Sequence, residues 1–376
     1  MASNFIYSTR DHKFIIKEWL DTEKILNYPK FKEVYELDDV DTILDQALKV
    51  AKEIIAPTND DGETIGVKLI DGQVKVPPSF HKAYKFMQDN GWGVSDPREE
   101  GAMPNIIRAA CSEYFGAANP SFTPYAGLTA GAAGLIASFG RQEDKELFLP
   151  KMYSGEWAGT MCLTEPGAGS DVGDSTTKAY PTENPRVYKI KGTKCFITGG
   201  DHDLTENIIH LLLARIEGAA PGTKGLSLFI VPKVWVNEDG SLAERNDVTT
   251  VAVEHELGLK GSATCMLSFG DENNCRGILL GNPPDEKGVA QGMAQMFQLM
   301  NSARHGTGHS ATYAATVAYN NAVQYAKERI QGRPINQPPG RKGAHHPARG
   351  CKKNAAEPKG NPGSNAGPDF QELVLY

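Results

Sequence analysis

Hydrophobic and polar positions change their period twice along the chain. In the first part, apolar residues recur at three-to-four spacing, as in Thr42–Ile55, and prolines separate the periodic stretches. The last stretch of this kind ends near Tyr153. The pattern predicts an α-helical N-terminal domain over residues 1–155.

A period of two replaces the helical period from about Gly159 onwards. Val187–Lys191 alternates between apolar and polar residues, and Ile208–Ile216 and Leu226–Val231 are apolar runs. Clusters of Gly, Asn and Asp separate these runs at roughly regular intervals. We expect an antiparallel β-sandwich or barrel as the middle domain, over residues 156–283.

Helical periodicity returns near Gly288. Gln291–Met300 and Ser302–Gln331 are long, Ala-rich and uninterrupted by proline, which predicts two helices that pack against each other. They would begin a partial α-helical C-terminal domain over residues 284–335. The order of helices, sheet and helices indicates an α+β multidomain protein. It argues against a doubly wound dinucleotide fold, in which strands and helices alternate.

The chain becomes poor in large aliphatic residues after Ile335. No Leu, Ile, Val or Met occurs between Asn336 and Glu372, so this stretch buries too little apolar surface to offset the entropy of ordering it. We expect a disordered segment over residues 336–376. Because the change is abrupt and falls where a natural domain boundary is not expected, we also expect a C-terminally truncated chain whose last part is translated out of frame.

Composition and charge exclude several classes of protein. A formal net charge of −7 argues against a general nucleic-acid binder, which needs a basic face. No run of about eighteen apolar residues occurs, so we expect no membrane span, and the N-terminus lacks the apolar core of a secretion signal. The six cysteines show no CxxC spacing, which is typical of reduced thiols in a cytoplasmic protein and predicts no metal site.

The densest candidate chemistry lies in Met161–Asp171, which reads MCLTEPGAGSD. A strand that runs into a glycine-rich turn presents backbone N–H groups and hydroxyls to a phosphate or to the edge of a heterocycle. The same pattern also fits a plain turn between strands. A second segment, Lys194–Gly200, reads KCFITGG, and Arg304 and Arg329 stand 25 positions apart in the last helical stretch.

These segments resemble the acyl-CoA dehydrogenase family, and the resemblance covers roughly residues 35–335. Pro57–Glu63, Val76–Phe80 and Gly91–Trp92 are similar to the long members of the family, which include the 3-methylmercaptopropionyl-CoA dehydrogenases. The resemblance implies a helical N-domain, a β middle domain and a helical C-domain. It also implies FAD-dependent α,β-dehydrogenation of an acyl-CoA substrate, with electron-transfer flavoprotein or a similar acceptor, by a protein that is a homo-oligomer when intact.

Site residues follow from the resemblance by matching position. At the cofactor it implies Met161, Cys162, Leu163, Thr164, Ser170, Phe196, Ile197, Thr198, Arg329 and Gln331. At the acyl-CoA it implies Ser170, Asn301 and Arg304. Phe196 would cover the flavin where many relatives have Trp, and Arg329 and Gln331 would reach the FAD of a neighbouring subunit. Taken alone, Phe196 also fits a core position, and Arg329 a solvated helix end.

The catalytic base has no match in the sequence. A minority of the family place the carboxylate immediately before the position of Arg304, where this chain has Ala303, which cannot accept a proton. The acids further along the chain stand in no matching context. Two other interpretations therefore stay open: an inactive truncated relative that at most binds flavin or acyl-CoA, and an acyl-CoA oxidase, which shares the fold.

Overall fold

The structure is a computed structural model that describes residues 5–330 of the chain. Contacts divide the described residues into a helical unit, made of residues 5–57, 97–120 and 304–330, and a sheet unit, from Thr58–Asp96 and Ser121–Ala303. Gln331 and the predicted disordered segment 336–376 lie outside the described residues. The domain boundaries predicted after residues 155, 283 and 335 stay predictions.

Helices occur where three-to-four spacing predicts them. In chain order they are α1 Arg10–Phe14, α2 Thr22–Leu26, α3 Asp39–Val50, α4 Asn59–Thr64, α5 Pro78–Asp89, α6 Asn105–Ala118, α7 Thr123–Phe139, α8 Gln142–Tyr153 and α9 Gly292–Glu328. Two π-helical turns, Ile15–Trp19 and Ala51–Ile55, continue α1 and α3. Across residues 5–330, no helix is both long enough and apolar enough to span a bilayer.

The last helical stretch departs from the prediction. The sequence predicts two helices, Gln291–Met300 and Ser302–Gln331, whereas the structure has the single helix α9 of 37 residues. Asn301 and Ser302, at the expected break, are weak helix formers, but each costs less than about 1 kcal/mol in a helix interior. Since no proline interrupts the hydrogen-bond ladder of α9, the helix continues through both residues.

The strands follow the period-two stretches and add a short hairpin before them. They are β1 Lys68–Ile70, β2 Gln73–Lys75, β3 Trp157–Cys162, β4 Lys178–Pro181, β5 Val187–Thr198, β6 Asn207–Ile216, β7 Leu226–Pro232, β8 Val234–Val236, β9 Leu242–Arg245, β10 Val248–Val253, β11 Thr264–Phe269 and β12 Arg276–Leu280. The β1–β2 hairpin lies inside the region predicted to be helical. Asp71 and Gly72 at its turn have φ values of 49° and 74°, as a two-residue hairpin turn requires.

One eight-stranded sheet dominates the sheet unit. Its order is β10-β11-β5-β12-β7-β6-β3, with β4 beside β5 and β6. The predicted sheet-rich middle region is confirmed, but β3 and β4 both pair with β6 in parallel. A purely antiparallel sheet is therefore wrong for these two pairs. Between β3 and β6 the chain passes through β4 and β5 and returns in the same direction, which a short hairpin cannot achieve.

A hydrophobic core fixes β3 against two helices. Trp157 of β3 and Phe148 of α8 are fully buried in this core. Helix α7 approaches β3 so closely that a Cβ atom at Gly159 would lie 2.6 Å from Cβ of Ala132. The backbone N–H of Gly159 also donates to the hydroxyl of Thr129 at 3.0 Å. The strand that carries the first motif is thus held firmly along its length.

A buried carboxylate joins three segments of the helical unit. Glu113 of α6 is 3% exposed, and its Oε1 accepts a hydrogen bond from the hydroxyl of Tyr7. Its Oε2 lies 3.2 Å from Nε2 of His12 on α1 and 2.8 Å from Nε2 of His309 on α9. Burial alone raises the pKa of Glu113, but the two histidines outweigh burial and hold the pKa below its usual value.

We expect Glu113→Gln to lower the free energy of unfolding by about 2 kcal/mol, within the range for leaving buried hydrogen-bonding groups unsatisfied. The amide nitrogen cannot accept a hydrogen bond, so either Tyr7 or the two histidines would lose their acceptor. Urea denaturation at neutral pH measures the loss. Glu33→Gln is the control, because the Glu33 side chain is 85% exposed, and it should change stability by less than about 0.5 kcal/mol.

The same carboxylate gives a pH dependence of defined sign. A glutamate whose pKa is lower in the folded chain contributes its full stabilisation above the unfolded pKa of about 4.3, and this contribution is lost as the pH falls further. The stability difference between wild type and Glu113→Gln should therefore persist at pH 5 and shrink below pH 4. A difference that grows in acid would contradict this role for Glu113.

Candidate functional site

The two segments that carry the resemblance meet in the sheet unit. The first runs from Met161 at the end of β3 into the turn at Glu165, and the second is the end of β5. The backbone N–H of Cys195 donates a hydrogen bond to the carbonyl of Thr164 at 2.9 Å. Two motifs that are distant in sequence are therefore joined by a main-chain bond.

The glycine-rich turn is closed on itself. Glu165 and Ala168 exchange two main-chain hydrogen bonds, at 3.1 and 3.0 Å. Further along, Oδ1 of Asp171 accepts a hydrogen bond from the N–H of Gly173 at 3.0 Å and begins a short 3₁₀ turn. Ser170 lies between these two features and is exposed. Its hydroxyl is therefore accessible to a ligand.

The side chain of Lys194 crosses from the second segment to the first. It is 0% exposed. Its ammonium group donates to the carbonyl of Leu163 at 2.9 Å and to Oε1 of Glu165 at 2.8 Å, and the hydroxyl of Ser175 lies 3.4 Å away. An ammonium group has three hydrogens to donate, so all three have an acceptor.

Glu165 completes this network from the turn. The residue is 4% exposed. Its carboxylate accepts hydrogen bonds from the hydroxyl of Ser175, from both N and Oγ1 of Thr176 at 2.7 Å, and from the N–H of Thr177 at 3.1 Å. Burial alone raises the pKa of Glu165, but Lys194 and these donors outweigh burial and hold the pKa below its usual value. The carboxylate is therefore ionised at neutral pH.

Phe196 combines a strained backbone with an exposed ring. Its φ of 58° lies in the left-handed region, which a bulky residue rarely adopts, and the residue is 62% exposed. The register between β5 and β11 shifts between Cys265 and Leu267, which places Phe196 in a β-bulge. Left-handed backbone costs roughly 1–2 kcal/mol. Strain of this kind, in a residue that buries little of itself, is typical of a ligand contact.

The other predicted cofactor residues differ in which groups they present. The accessible hydroxyls are those of Thr164, Ser170 and Thr198, which are partly or largely exposed. Cys162 and Ile197 have buried side chains, and Sγ of Cys162 lies 3.9 Å from Nδ1 of His210 in the interior. Cys162 and Ile197 can therefore offer only backbone groups to a ligand. Met161 and Leu163 contact the hydrophobic core.

The residues predicted near the acyl-CoA and the neighbouring subunit are on or just beyond α9. Asn301 belongs to the sheet unit, whereas Arg304 and Arg329 belong to the helical unit. All three are exposed. Gln331 lies outside the described residues. Their roles stay predictions.

Sequence reasoning missed the pairing of Lys194 with Glu165, although both lie inside the quoted motifs. The available signal was a lysine followed by three apolar residues, Cys195–Ile197. A buried lysine is found almost only in a pair. A glutamate in the other motif was the natural partner. Within the ranges that the structure covers, no group of three or more His, Cys, Asp or Glu side chains suits a metal ion.

Two substitutions at Phe196 should separate backbone strain from the aromatic ring. Phe196→Asn should be more stable than Phe196→Ala by about 0.5–1 kcal/mol, because Asn adopts positive φ more readily than Ala and neither keeps the ring. Urea unfolding of the ligand-free chain measures the difference. Equal stability of the two variants would show that the backbone at this position is unstrained.

Comparison with known proteins places these features in a family. Residues 160–271 match the family model described as acyl-CoA dehydrogenase, middle domain. Butyryl-CoA dehydrogenase of Syntrophomonas wolfei is 47% identical over 342 residues, which are 90% of this chain and 56% of that protein. The 3-methylmercaptopropionyl-CoA dehydrogenase of Ruegeria pomeroyi is 38% identical over 333 residues, which are 87% of this chain and 54% of that protein. The chain thus spans little more than half the length of these relatives.

Solved structures share the architecture at low identity. Butyryl-CoA dehydrogenase from Megasphaera elsdenii has a TM-score of 0.68 at 20% identity, covering 90% of this chain and 79% of that one. An acyl-CoA dehydrogenase from Geobacillus kaustophilus has a TM-score of 0.69 at 20% identity, covering 90% and 79%. At this identity the likeness establishes the fold alone, with a helical N-terminal part, a sheet-rich middle and a helical C-terminal region. The shared fold, the matched middle domain and the close relatives together support the acyl-CoA dehydrogenase family for this chain.

Proposed function

We propose that the chain forms the flavin-binding part of an FAD-dependent acyl-CoA dehydrogenase, which oxidises an acyl-CoA thioester to the enoyl-CoA. One observation carries the proposal. The main-chain bond from Cys195 to Thr164 joins two family segments directly beside the exposed, strained Phe196. An accessible aromatic ring with hydroxyls and backbone donors close by in the chain suits a planar heterocycle with a polar edge.

The residues present fit the ring system of FAD. Phe196 offers an aromatic face, and most of that residue is exposed. Thr164 and Thr198 are partly exposed at the ends of the two joined segments, and their hydroxyls can donate to ring nitrogen or oxygen atoms. In the proposed site, Cys162 and Ile197 contribute main-chain groups only.

FAD, when bound, would supply the redox chemistry by accepting the β-hydrogen of the acyl group as hydride. The chain's own residues would bind and orient. Phe196 would exclude water from one face of the ring, and Thr198 would orient its edge. By the resemblance, Ser170, Asn301 and Arg304 would each contact the acyl-CoA. The α-proton requires a base, and Ala303 cannot serve as one; the base stays unassigned among residues 5–330.

The proposed substrate class follows from the relatives. Their names specify butyryl-CoA and 3-methylmercaptopropionyl-CoA, both thioesters of short acyl groups, and we propose the same class for the whole protein, as one of the long members of the family. Electron-transfer flavoprotein or a similar acceptor would reoxidise the flavin. The intact protein would be a homo-oligomer in which Arg329 and Gln331 reach the FAD of a neighbouring subunit.

Thr198→Ala should weaken FAD binding about tenfold, because one hydrogen bond to the ring edge is worth about 1.5 kcal/mol. Titration of FAD with protein, followed by quenching of flavin fluorescence, measures the affinity. Thr193→Ala, five positions earlier on the same strand, is the matched control and should leave the affinity within about twofold. Equal affinity of wild type and Thr198→Ala would contradict a flavin contact at this residue.

Turnover of an acyl-CoA distinguishes the dehydrogenase from two other functions, an inactive relative and an acyl-CoA oxidase. An inactive relative that at most binds flavin or acyl-CoA is favoured by Ala303, which stands where a minority of the family carry the base. Butyryl-CoA is therefore assayed with an artificial electron acceptor and, separately, with oxygen. Reduction of the acceptor supports the dehydrogenase, formation of hydrogen peroxide supports an acyl-CoA oxidase, and binding without turnover supports the inactive relative.

We also propose that the segment after Ile335 is read in a shifted frame. The loss of Leu, Ile, Val and Met there is abrupt and falls where the family match breaks off, and this supports the proposal. The nucleotide sequence of the gene tests it. Another frame beyond the codon of Ile335 should encode an amphipathic helix, and stop codons in the other frames would contradict the proposal.

A further inference from the structure

The buried pair of Lys194 and Glu165 is bonded to the backbone of both proposed flavin-facing segments. The Lys194 ammonium group donates to the carbonyl of Leu163, one residue before Thr164. Lys194 itself lies two residues before Phe196 in β5. The pair therefore lies where the two segments meet, at the main-chain bond from Cys195 to Thr164, which we call the joint.

An apolar pair of similar size would fill this space without the cost of removing two charges from water. It could not bond the carbonyl of Leu163, nor the N–H groups of Thr176 and Thr177, which Glu165 holds at 2.7 and 3.1 Å. A fully satisfied polar network fixes one arrangement of the groups that it connects. Lys194 and Glu165 therefore fix the relative position of the two segments at the joint, which an apolar pair would not do.

We propose that Lys194 and Glu165 are positioning residues that hold Thr164 and Phe196 in the relative placement that flavin binding requires. The inference rests on the proposed function. Both side chains are buried beneath the joint, so they act through the backbone and not by touching the cofactor. Without Lys194, the carbonyl of Leu163 loses a donor and Glu165 loses its cation. The glycine-rich turn is then no longer fixed relative to the β-bulge at Phe196.

Lys194→Met tests the proposal against a matched control. Arg186→Met also removes a cation from a buried carboxylate, that of Asp144, which Arg186 contacts at 2.6 Å in a different part of the sheet unit. Both variants should lower the melting temperature. In a flavin fluorescence titration with FAD, Lys194→Met should lose at least about tenfold in affinity, and Arg186→Met should stay within about twofold of wild type. Similar FAD affinities of the two variants would overturn the proposal.

A double variant separates positioning from stability. Lys194→Met combined with Glu165→Gln removes both charges, so the melting temperature should recover relative to Lys194→Met alone. The FAD affinity should stay low, because the carbonyl of Leu163 still lacks its donor. If the affinity recovers together with the melting temperature, the pair has a structural role only.

Hydrogen exchange in the ligand-free chain decides the inference independently of FAD. The amide of Cys195, which bonds to Thr164, should exchange at least about tenfold faster in Lys194→Met and at the wild-type rate in Arg186→Met. If the wild-type chain binds no FAD, the proposed function fails while this measurement still stands. Unchanged exchange at Cys195 in Lys194→Met would overturn the positioning role.

Discussion

A lysine and a glutamate can share a protein interior only if every hydrogen-bonding group of both is satisfied. Lys194 and Glu165 meet this condition with acceptors and donors from two separate segments. Removing either partner would leave an uncompensated buried charge, at a cost of about 3–5 kcal/mol. The end of β3, the glycine-rich turn and the end of β5 therefore have one permitted arrangement. The buried pair of Lys194 and Glu165 therefore fixes the local geometry of the proposed flavin site, although neither side chain is placed to touch the flavin.

Two residues after Lys194 on the same strand, Phe196 is exposed and strained. Lys194 is enclosed and fully bonded, whereas Phe196 is exposed and has an unfavourable backbone conformation. A strained residue persists only when its surroundings over-determine it. The ion pair and the bond between Cys195 and Thr164 supply that constraint. The rigid, buried contacts of Lys194 thus maintain the strained backbone of Phe196.

Much of the fold was predictable from local patterns of hydrophobic residues. Three-to-four spacing located the long helices. Alternation located part of β5, and apolar runs located β6 and β7, which are buried on both faces. The failures depend on information that a local pattern does not contain. The parallel pairing of β3 with β6 depends on the path of the chain between them, and the continuity of α9 depends on small differences in helix propensity at Asn301 and Ser302. The β1–β2 hairpin was missed although Asp71 and Gly72 form a strong turn signal.

For the candidate site, the sequence predicted which residues belong to it but not how they contact each other. The motifs identified Thr164, Phe196 and Thr198, because family segments can be matched by position. The bulge at Phe196 could not be derived, since it depends on the register of β5 against β11. That register is a property of the whole sheet. The pairing of Lys194 with Glu165 left only an indirect signal, a lysine followed by apolar residues in a strand.

The spacing of the ion pair also orders events during synthesis. Glu165 precedes Lys194 by 29 positions, so at roughly 5–20 residues per second the ribosome adds the lysine only seconds later. Until then the carboxylate lacks its cation and stays in water, because burying it alone is too costly. The Glu165 side chain therefore cannot take its buried position before β5 has been made. A nascent chain that ends between these two residues keeps that carboxylate exposed to water.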